Sequence, residues 1–165
     1  MTKKIRFLSD RMLGSLAKYL RFMGYDTKSA DMLISGDRRE DSVLLEMAKS
    51  EARILLTRDR ELFQRGKEIS FHLKSDDVSC QVKELLLAGL ISSSFKPGLE
   101  RCILCNTKLR PAETDEIKSS SYAPQGRDKD EFMWCPLCRR LYWAGTHSEN
   151  MEKRLRKIFP GYENI

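Results

Sequence analysis

Arg53-Ile-Leu-Leu-Thr57-Arg58-Asp59 is an apolar run without alternation that ends on a charged pair. A strand with one wet face alternates in polarity, whereas a strand covered on both faces does not, and such runs belong inside parallel sheets. Ile5-Arg-Phe-Leu8 and residues 25–30 read as strands before it, and Ile69-Ser-Phe-His-Leu73 as one after it. Helical spacing fills the intervals. Leu13, Leu16, Ala17 and Leu20 make an apolar stripe over residues 11–23, with Arg11, Ser15, Lys18 and Arg21 mostly on the solvated side and Gly24 as a stop. Val43, Leu44, Met47 and Ala48 do the same over residues 41–50. A short helix is expected near residues 60–65, and a longer one, with Val82, Leu85 and Leu86, from Asp76-Asp77 to about residue 90. Strand and helix in alternation predict an α/β fold of three layers with a mainly parallel sheet.

Downstream, Cys102-Ile-Leu-Cys105 and Cys135-Pro-Leu-Cys138 form two CxxC pairs, a spacing that lets four thiolates close a tetrahedron around one structural Zn²⁺. The 165 residues therefore divide into an α/β domain over residues 1–95 and a small zinc-ribbon module over residues 96–165. Such a metal-stapled module needs little core of its own. Ser92-Ser-Ser-Phe-Lys-Pro-Gly98 reads as the linker, and residues 149–159 as a short basic helix halted by Pro160-Gly161. The fifth cysteine, Cys80, is expected as a small buried hydrophobe in its helix. The charged start runs straight into a strand, and the cysteines suit metal more than disulfides, so a reducing, cytoplasmic setting is expected. No run approaches the roughly 20 apolar residues that span a bilayer, so no membrane partner is expected. The net charge of +6 is compatible with a phosphate-rich partner, and weak evidence for one.

The chemistry sits with the aspartates. In open α/β sheets ligands bind beyond the carboxyl ends of the strands, and Asp10, Asp59 and Asp76 or Asp77 each follow a strand directly. Asp41, at the start of the second helix, lies toward the same edge. Clustered carboxylates repel one another unless a cation neutralises them, which points to Mg²⁺ or Mn²⁺ and to phosphodiester hydrolysis. Each acid also has a plainer reading: Asp10, Asp41 and Asp59 are well placed to cap helices. Capping alone does not require three or four strand-end acids in one small sheet.

The stretch Phe7-Leu-Ser-Asp10-Arg-Met-Leu-Gly14, with Asp41-Ser-Val-Leu44, the run ending at Asp59, both cysteine pairs and Tyr142-Trp143-Ala-Gly145-Thr-His147, resembles the Mut-seven C-terminal RNase domain family over nearly the whole chain. The resemblance implies a PIN-like nuclease fold followed by a zinc ribbon. It further implies that Asp10, Asp41 and Asp59 bind the catalytic metal of an endoribonuclease, with Asp77 as the fourth acid. Glu40 is a possible substitute for Asp41. The polar insert over residues 114–130 departs from the pattern.

Arg11 and Arg58, each beside a candidate acid, could contact RNA phosphate or pair with the acids. Arg139 and Arg140 alternate with Trp134, Tyr142 and Trp143, which suits stacking on single-stranded or structured RNA as well as packing around the metal. Ser9 and Thr57 flank the acids, where they could orient a water or end a strand. His72 and His147 are the two histidines of the chain, too few and poorly placed for histidine-based RNA cleavage. The expected function is a metal-dependent endoribonuclease whose ribbon aids RNA binding. A noncatalytic RNA-binding or ribosome-associated adaptor is the alternative, and a growth-arresting toxin is a more distant one.

Overall fold

The structure, a computed structural model, describes residues 5–33, 39–94 and 98–159. The expected domain boundary and the expected Pro160-Gly161 stop lie outside the described residues. Four strands, β1 (Phe7–Ser9), β2 (Thr27–Ser29), β3 (Ile54–Thr57) and β4 (Ser70–His72), form an all-parallel sheet in the order β2-β1-β3-β4. The chain leaves β1 for β2 on one side and returns to β3 on the other. The direction of winding therefore reverses between β1 and β3.

Helices cover both faces, which is why β3 reads as unbroken apolar sequence. On one face α2 (Glu40–Ser50) and α3 (Arg60–Arg65) bury Leu44, Ala48 and Leu62 against Leu8 and Leu55. On the other, α1 (Gly14–Phe22) and α4 (Val78–Leu87) bury Leu16, Leu20, Val82 and Leu85 against Phe7 and Leu56. The fold class is the expected one. Boundaries shift by up to three residues, and residues 11–13 form a tight 3-10 turn before α1.

Past residue 98 come a turn with Cys102 and Cys105, α5 (Thr114–Ser119) and a second sheet of β5 (Arg110–Pro111), β6 (Met133–Cys135) and β7 (Arg140–Tyr142), with Cys138 in the turn between β6 and β7, and α6 (Thr146–Ile158) is the last element. The polar insert is structured. A carboxylate box caps α5, and Ile117 and Ala123 close over Phe132, Trp134 and Leu141, the module's small core.

Three expectations need correction. Arg21 is buried, at 3% exposure, because the first cysteine turn arrives on its side of α1. Cys80 is exposed, since α4 turns Gln81, Val82 and Leu85 inward and leaves Cys80 facing out. The C-terminal helix begins earlier than expected and serves the first domain, with Met151, Leu155 and Phe159 embedded in the same apolar cluster as Leu16 and Val82. Among the described residues no helix is long and apolar enough to cross a membrane.

Because Leu155 is fully buried in that cluster, Leu155→Ala should cost about 2–5 kcal/mol. Urea unfolding followed by far-UV circular dichroism measures this. A loss below about 0.5 kcal/mol, the size of a typical surface change, would show that the helix is a loosely attached tail.

Candidate active site and metal centre

The β1/β3 switch point is where an open parallel sheet leaves a crevice at its carboxyl edge, since the connections on either side lead away from it. Asp10 follows β1 and Asp59 follows β3 at this crevice. The Asp10 backbone N–H extends the ladder to the Leu56 carbonyl at 2.9 Å. Its side chain is nearly buried, with Oδ1 accepting from the Met12 N–H at 3.1 Å and Oδ2 from the Thr57 hydroxyl at 2.7 Å. That hydroxyl in turn accepts the Asp59 backbone N–H at 2.9 Å. Thr57 thus ties the Asp10 side chain to the Asp59 backbone, whereas the sequence left it open between orienting a water and ending a strand. Ser9 instead reaches across to the Lys28 carbonyl at 3.4 Å.

Asp59 caps α3 through Oδ1, which accepts the Leu62 N–H at 2.9 Å. Its second oxygen has no partner among the described residues. Asp41 does not cap α2: Arg39 occupies the cap position, and Asp41 sits in the first turn with an ion pair to Arg65 at 3.3 Å. Burial raises the Asp41 carboxyl above the ordinary aspartate value. The charges of Asp59, Asp10 and Glu61 raise it further, against the pull of Arg65. Asp10, Asp41 and Asp59 therefore share one field. Glu61, one residue past the Asp59-Arg60 pair, belongs to that field and was legible as a further acid after the strand.

Asp77 follows β4, one strand away from the switch point, and caps α4 through the Cys80 N–H at 3.0 Å. Asp76 is exposed beside it. Glu40 is held by both ends of the Arg11 guanidinium, at 3.1 and 3.2 Å, with Asp31 3.6 Å from the same group. Arg11 is thereby an internal clamp, while Arg58 has no ion-pair partner among the described residues.

The thiols are far more compact. Among the described residues, Cys102, Cys105, Cys135 and Cys138 are the one set of metal-type side chains whose ligand atoms all lie within 4.8 Å of one another. Sulfur separations of 3.8 Å (Cys102 to Cys138) and 3.4 Å (Cys105 to Cys135) sit close to the roughly 3.8 Å edge of a tetrahedron with Zn–S bonds of about 2.3 Å. The two turns repeat each other. In each, the first cysteine's carbonyl accepts the N–H of the residue after the second, Asn106 at 2.9 Å and Arg139 at 2.8 Å, both left-handed with φ of 70° and 53°. In each, the second cysteine's N–H points to the first cysteine's sulfur, at 3.5 and 3.3 Å. Burial opposes ionisation of Cys105, yet hydrogen bonding with Thr107 and with the adjacent thiols brings it down to about 6. Cys135 and Cys138 are pushed up, by burial first and then by their sulfur neighbours. Four thiolates cannot coexist there without a dication, and the donor set fits zinc.

The profile of the Mut7-C RNAse domain matches residues 5–155. The chain belongs to that family. No match was found among curated proteins or among solved structures. In this Mut7-C chain the aromatic residues mostly pack: Trp134 lies in the ribbon core, the Tyr142 hydroxyl touches Cys102 Sγ at 3.0 Å, and Trp143 stacks on Tyr122. Arg139 and Arg140 are exposed. The ribonuclease family points to RNA as substrate.

Two measurements follow from these centres. Removing metal with a chelator, or Cys138→Ser, should unfold the cysteine module and lower the melting temperature of the whole chain; full retention of stability with no bound zinc by mass spectrometry would sink the tetrahedral reading. For Asp41, the raised value means that the folded chain binds its proton more readily, so its stabilising contribution is complete below 3.8 and disappears as pH rises through the raised value. At pH 7 without divalent cation, Asp41→Asn should melt no lower than the parent chain and should flatten the loss of stability above about pH 4. A clear drop in melting temperature would show that the Arg65 pair outweighs repulsion from the other acids.

Proposed function

We propose that the chain is a divalent-metal-dependent endoribonuclease. The observation that carries this reading is the Thr57 hydroxyl joining Asp10 to Asp59 across the switch point, in a field that also raises Asp41. Capping accounts for one oxygen each of Asp10 and Asp59; it does not account for Asp41, which feels the charge of both. Asp10, Asp41 and Asp59 would hold Mg²⁺ or Mn²⁺, with Asp77 as the fourth acid from the neighbouring strand end. No three of these acids approach as closely as the thiols do. Such spacing suits Mg²⁺, which keeps several waters and is held by one or two carboxylates together with substrate phosphate.

The bound ion supplies Lewis acidity at the phosphodiester and lowers the cost of the charge that develops there. The chain's own part is positional. Asp10 is fixed through both oxygens, by the Met12 N–H and by Thr57. Arg11, tied to Glu40 and Asp31, pins the turn that carries Asp10. In the reaction, the oxygen of water bonds to phosphorus, the P–O3′ bond breaks and the proton ends on the departing 3′ oxygen, leaving a 5′ phosphate and a 3′ hydroxyl. The ribbon, with Arg139 and Arg140 exposed, would help to hold the RNA, and Arg58 would reach its phosphate beside Asp59. A cytoplasmic setting suits reduced thiols.

End-labelled single-stranded and hairpin RNAs, incubated with the zinc-loaded chain in Mn²⁺, Mg²⁺ or EDTA, test this. Cleavage should require Mn²⁺ or Mg²⁺. Thr57→Val should lower activity or metal affinity by about 10–100-fold, the usual cost of losing a group that orients a ligand, and Asp10→Asn should cost more. RNA that is bound yet intact in every metal, by a chain with its zinc and its fold in place, would instead favour the adaptor.

A further inference from the structure

The face of α1 that carries Ser15, Lys18 and Tyr19 meets the face of α6 that carries Asn150, Lys153, Arg154 and Lys157 in a groove of ≈590 Å³. On α6 these positions recur at i, i+3, i+4 and i+7, one continuous stripe about 10 Å long. Among the described residues, four cations line the groove and no carboxylate does. Of the two acids adjacent in sequence to these positions, Glu152 is turned to Arg156 on another side of the helix at 2.6 Å, and Glu149, in the first turn of α6 and one turn before Lys153, does not line the groove. Lys18, Lys153 and Lys157 have no ion-pair partner among the described residues, and Arg154 rests over the buried Tyr19 hydroxyl at 3.5 Å. A solvated face would mix signs along its length, as the Glu152–Arg156 side does. This stripe does not.

Two further features give the groove direction and selectivity. Its α1 wall starts at Ser15, five residues after Asp10, so it departs from the carboxyl edge of the sheet where the acids lie. Beside it opens a smaller apolar pocket of ≈160 Å³ that shares Ile103, His147 and Met151 with it and is walled by Phe22 and Trp143. A cationic track next to an aromatic-walled recess is how proteins take single-stranded nucleic acid, with phosphates on the cations and an unstacked base on the ring.

We infer that the α1–α6 groove is a second RNA site, which binds the phosphate backbone of a single strand leading to the aspartates and takes one of its bases beside Trp143. The inference rests on the ribonuclease reading for the identity of the strand, but its test does not need cleavage. Binding of a fluorescein-labelled unstructured RNA of about 20 nucleotides is followed by anisotropy in EDTA, over a range of KCl, with zinc content and circular dichroism checked for each variant. Each phosphate contact on a single strand contributes about 0.7 to the slope of log K against log salt. Lys18→Gln/Lys153→Gln/Lys157→Gln should therefore flatten the slope by about 2 and weaken binding at low salt by at least about tenfold. Lys49→Gln/Lys67→Gln/Lys118→Gln, the same change of net charge on exposed lysines elsewhere, should leave both nearly unchanged, and a duplex of equal length should bind the parent chain more weakly.

Parent-like affinity and slope in the groove variant overturn the inference, as do equal losses in the two variants, which would make net charge the cause. If RNA binds through the groove yet stays intact in Mn²⁺, the ribonuclease reading fails and the groove stands. If the groove variant binds and cleaves like the parent, the groove fails alone.

Discussion

The buried guanidinium of Arg21 holds the two parts of this protein together. A cation out of water is costly unless its donors find acceptors in good geometry. Arg21 finds three: the Thr27 carbonyl at 2.8 Å within its own domain, and the Ile103 and Leu104 carbonyls at 2.8 and 2.9 Å in the first cysteine turn. A second strut runs parallel to it, since Asn106 donates to Asp26 at 2.7 Å and accepts the Thr27 N–H at 2.9 Å. Asp26 is itself held by Arg53, which also reaches Glu51 and the Phe7 carbonyl. The seam therefore runs from the metal-type turn through β2 to the middle of the sheet. Losing the turn would strand the buried Arg21 charge and the buried Thr27 N–H without their acceptors, which makes the cysteine centre part of the stability of the α/β domain.

That coupling matters at the other end of the strands. Asp10 stands at the end of β1, and β1 is clamped from below by Arg53 and beside it by β2 and β3. A carboxylate useful to a metal must be held to within fractions of an ångström while staying unshielded by its own cations. Around Asp10 the structure places the cation clamps elsewhere. Arg21 and Arg53 act at the amino edge of β1 and along α1, and Arg11 is spent on Glu40 and Asp31. At the crevice itself a neutral hydroxyl, Thr57, links the acids. Asp10 and Asp59 are without a salt bridge among the described residues, while Asp41 pairs with Arg65.

How much of this was legible follows from what a sequence pattern encodes. Unbroken apolar runs and helical stripes report burial, so the parallel sheet and its helices were visible, and the strand-end position of the acids came with them. Paired cysteine spacing reports local turn geometry, which explains why the tetrad was visible too. What a helical wheel lacks is the identity of whatever packs on the polar side. Arg21 shares a face with Ser15 and Lys18, and nothing local tells that a cysteine turn some 80 residues later covers one end of that face (Arg21 to Ile103, |i−j| = 82). Cys80 misleads for the complementary reason: its residue type is usually buried, but its angle on α4 points outward. The terminal helix was legible as a helix, while its partner was not, since Met151, Leu155 and Phe159 would suit either core. At the site, Asp41 and Asp10 look alike in sequence; Asp10 stands at the cap position itself, whereas Asp41 lies two residues past the cap of α2 and pairs with Arg65.

Charge explains why these pieces belong in one small molecule. Acids gathered at one crevice repel a polyanion as surely as they repel each other, and a bound dication offsets part of that repulsion at contact distance. Beyond about 10 Å salt screens it, so attraction has to come from cations laid along the approach rather than from net charge at large. The overall excess of six positive charges does not say where they lie; the lysines of α1 and α6 are gathered along one groove. The helix that presents them is anchored through Leu155 and Phe159 to the same core as β1, which fixes the cationic stripe relative to Asp10. Packed against α4 in that core, it keeps a fixed offset between the proposed phosphate track and the proposed scissile bond, and a fixed offset is what allows binding remote from the chemistry to position the reacting phosphate.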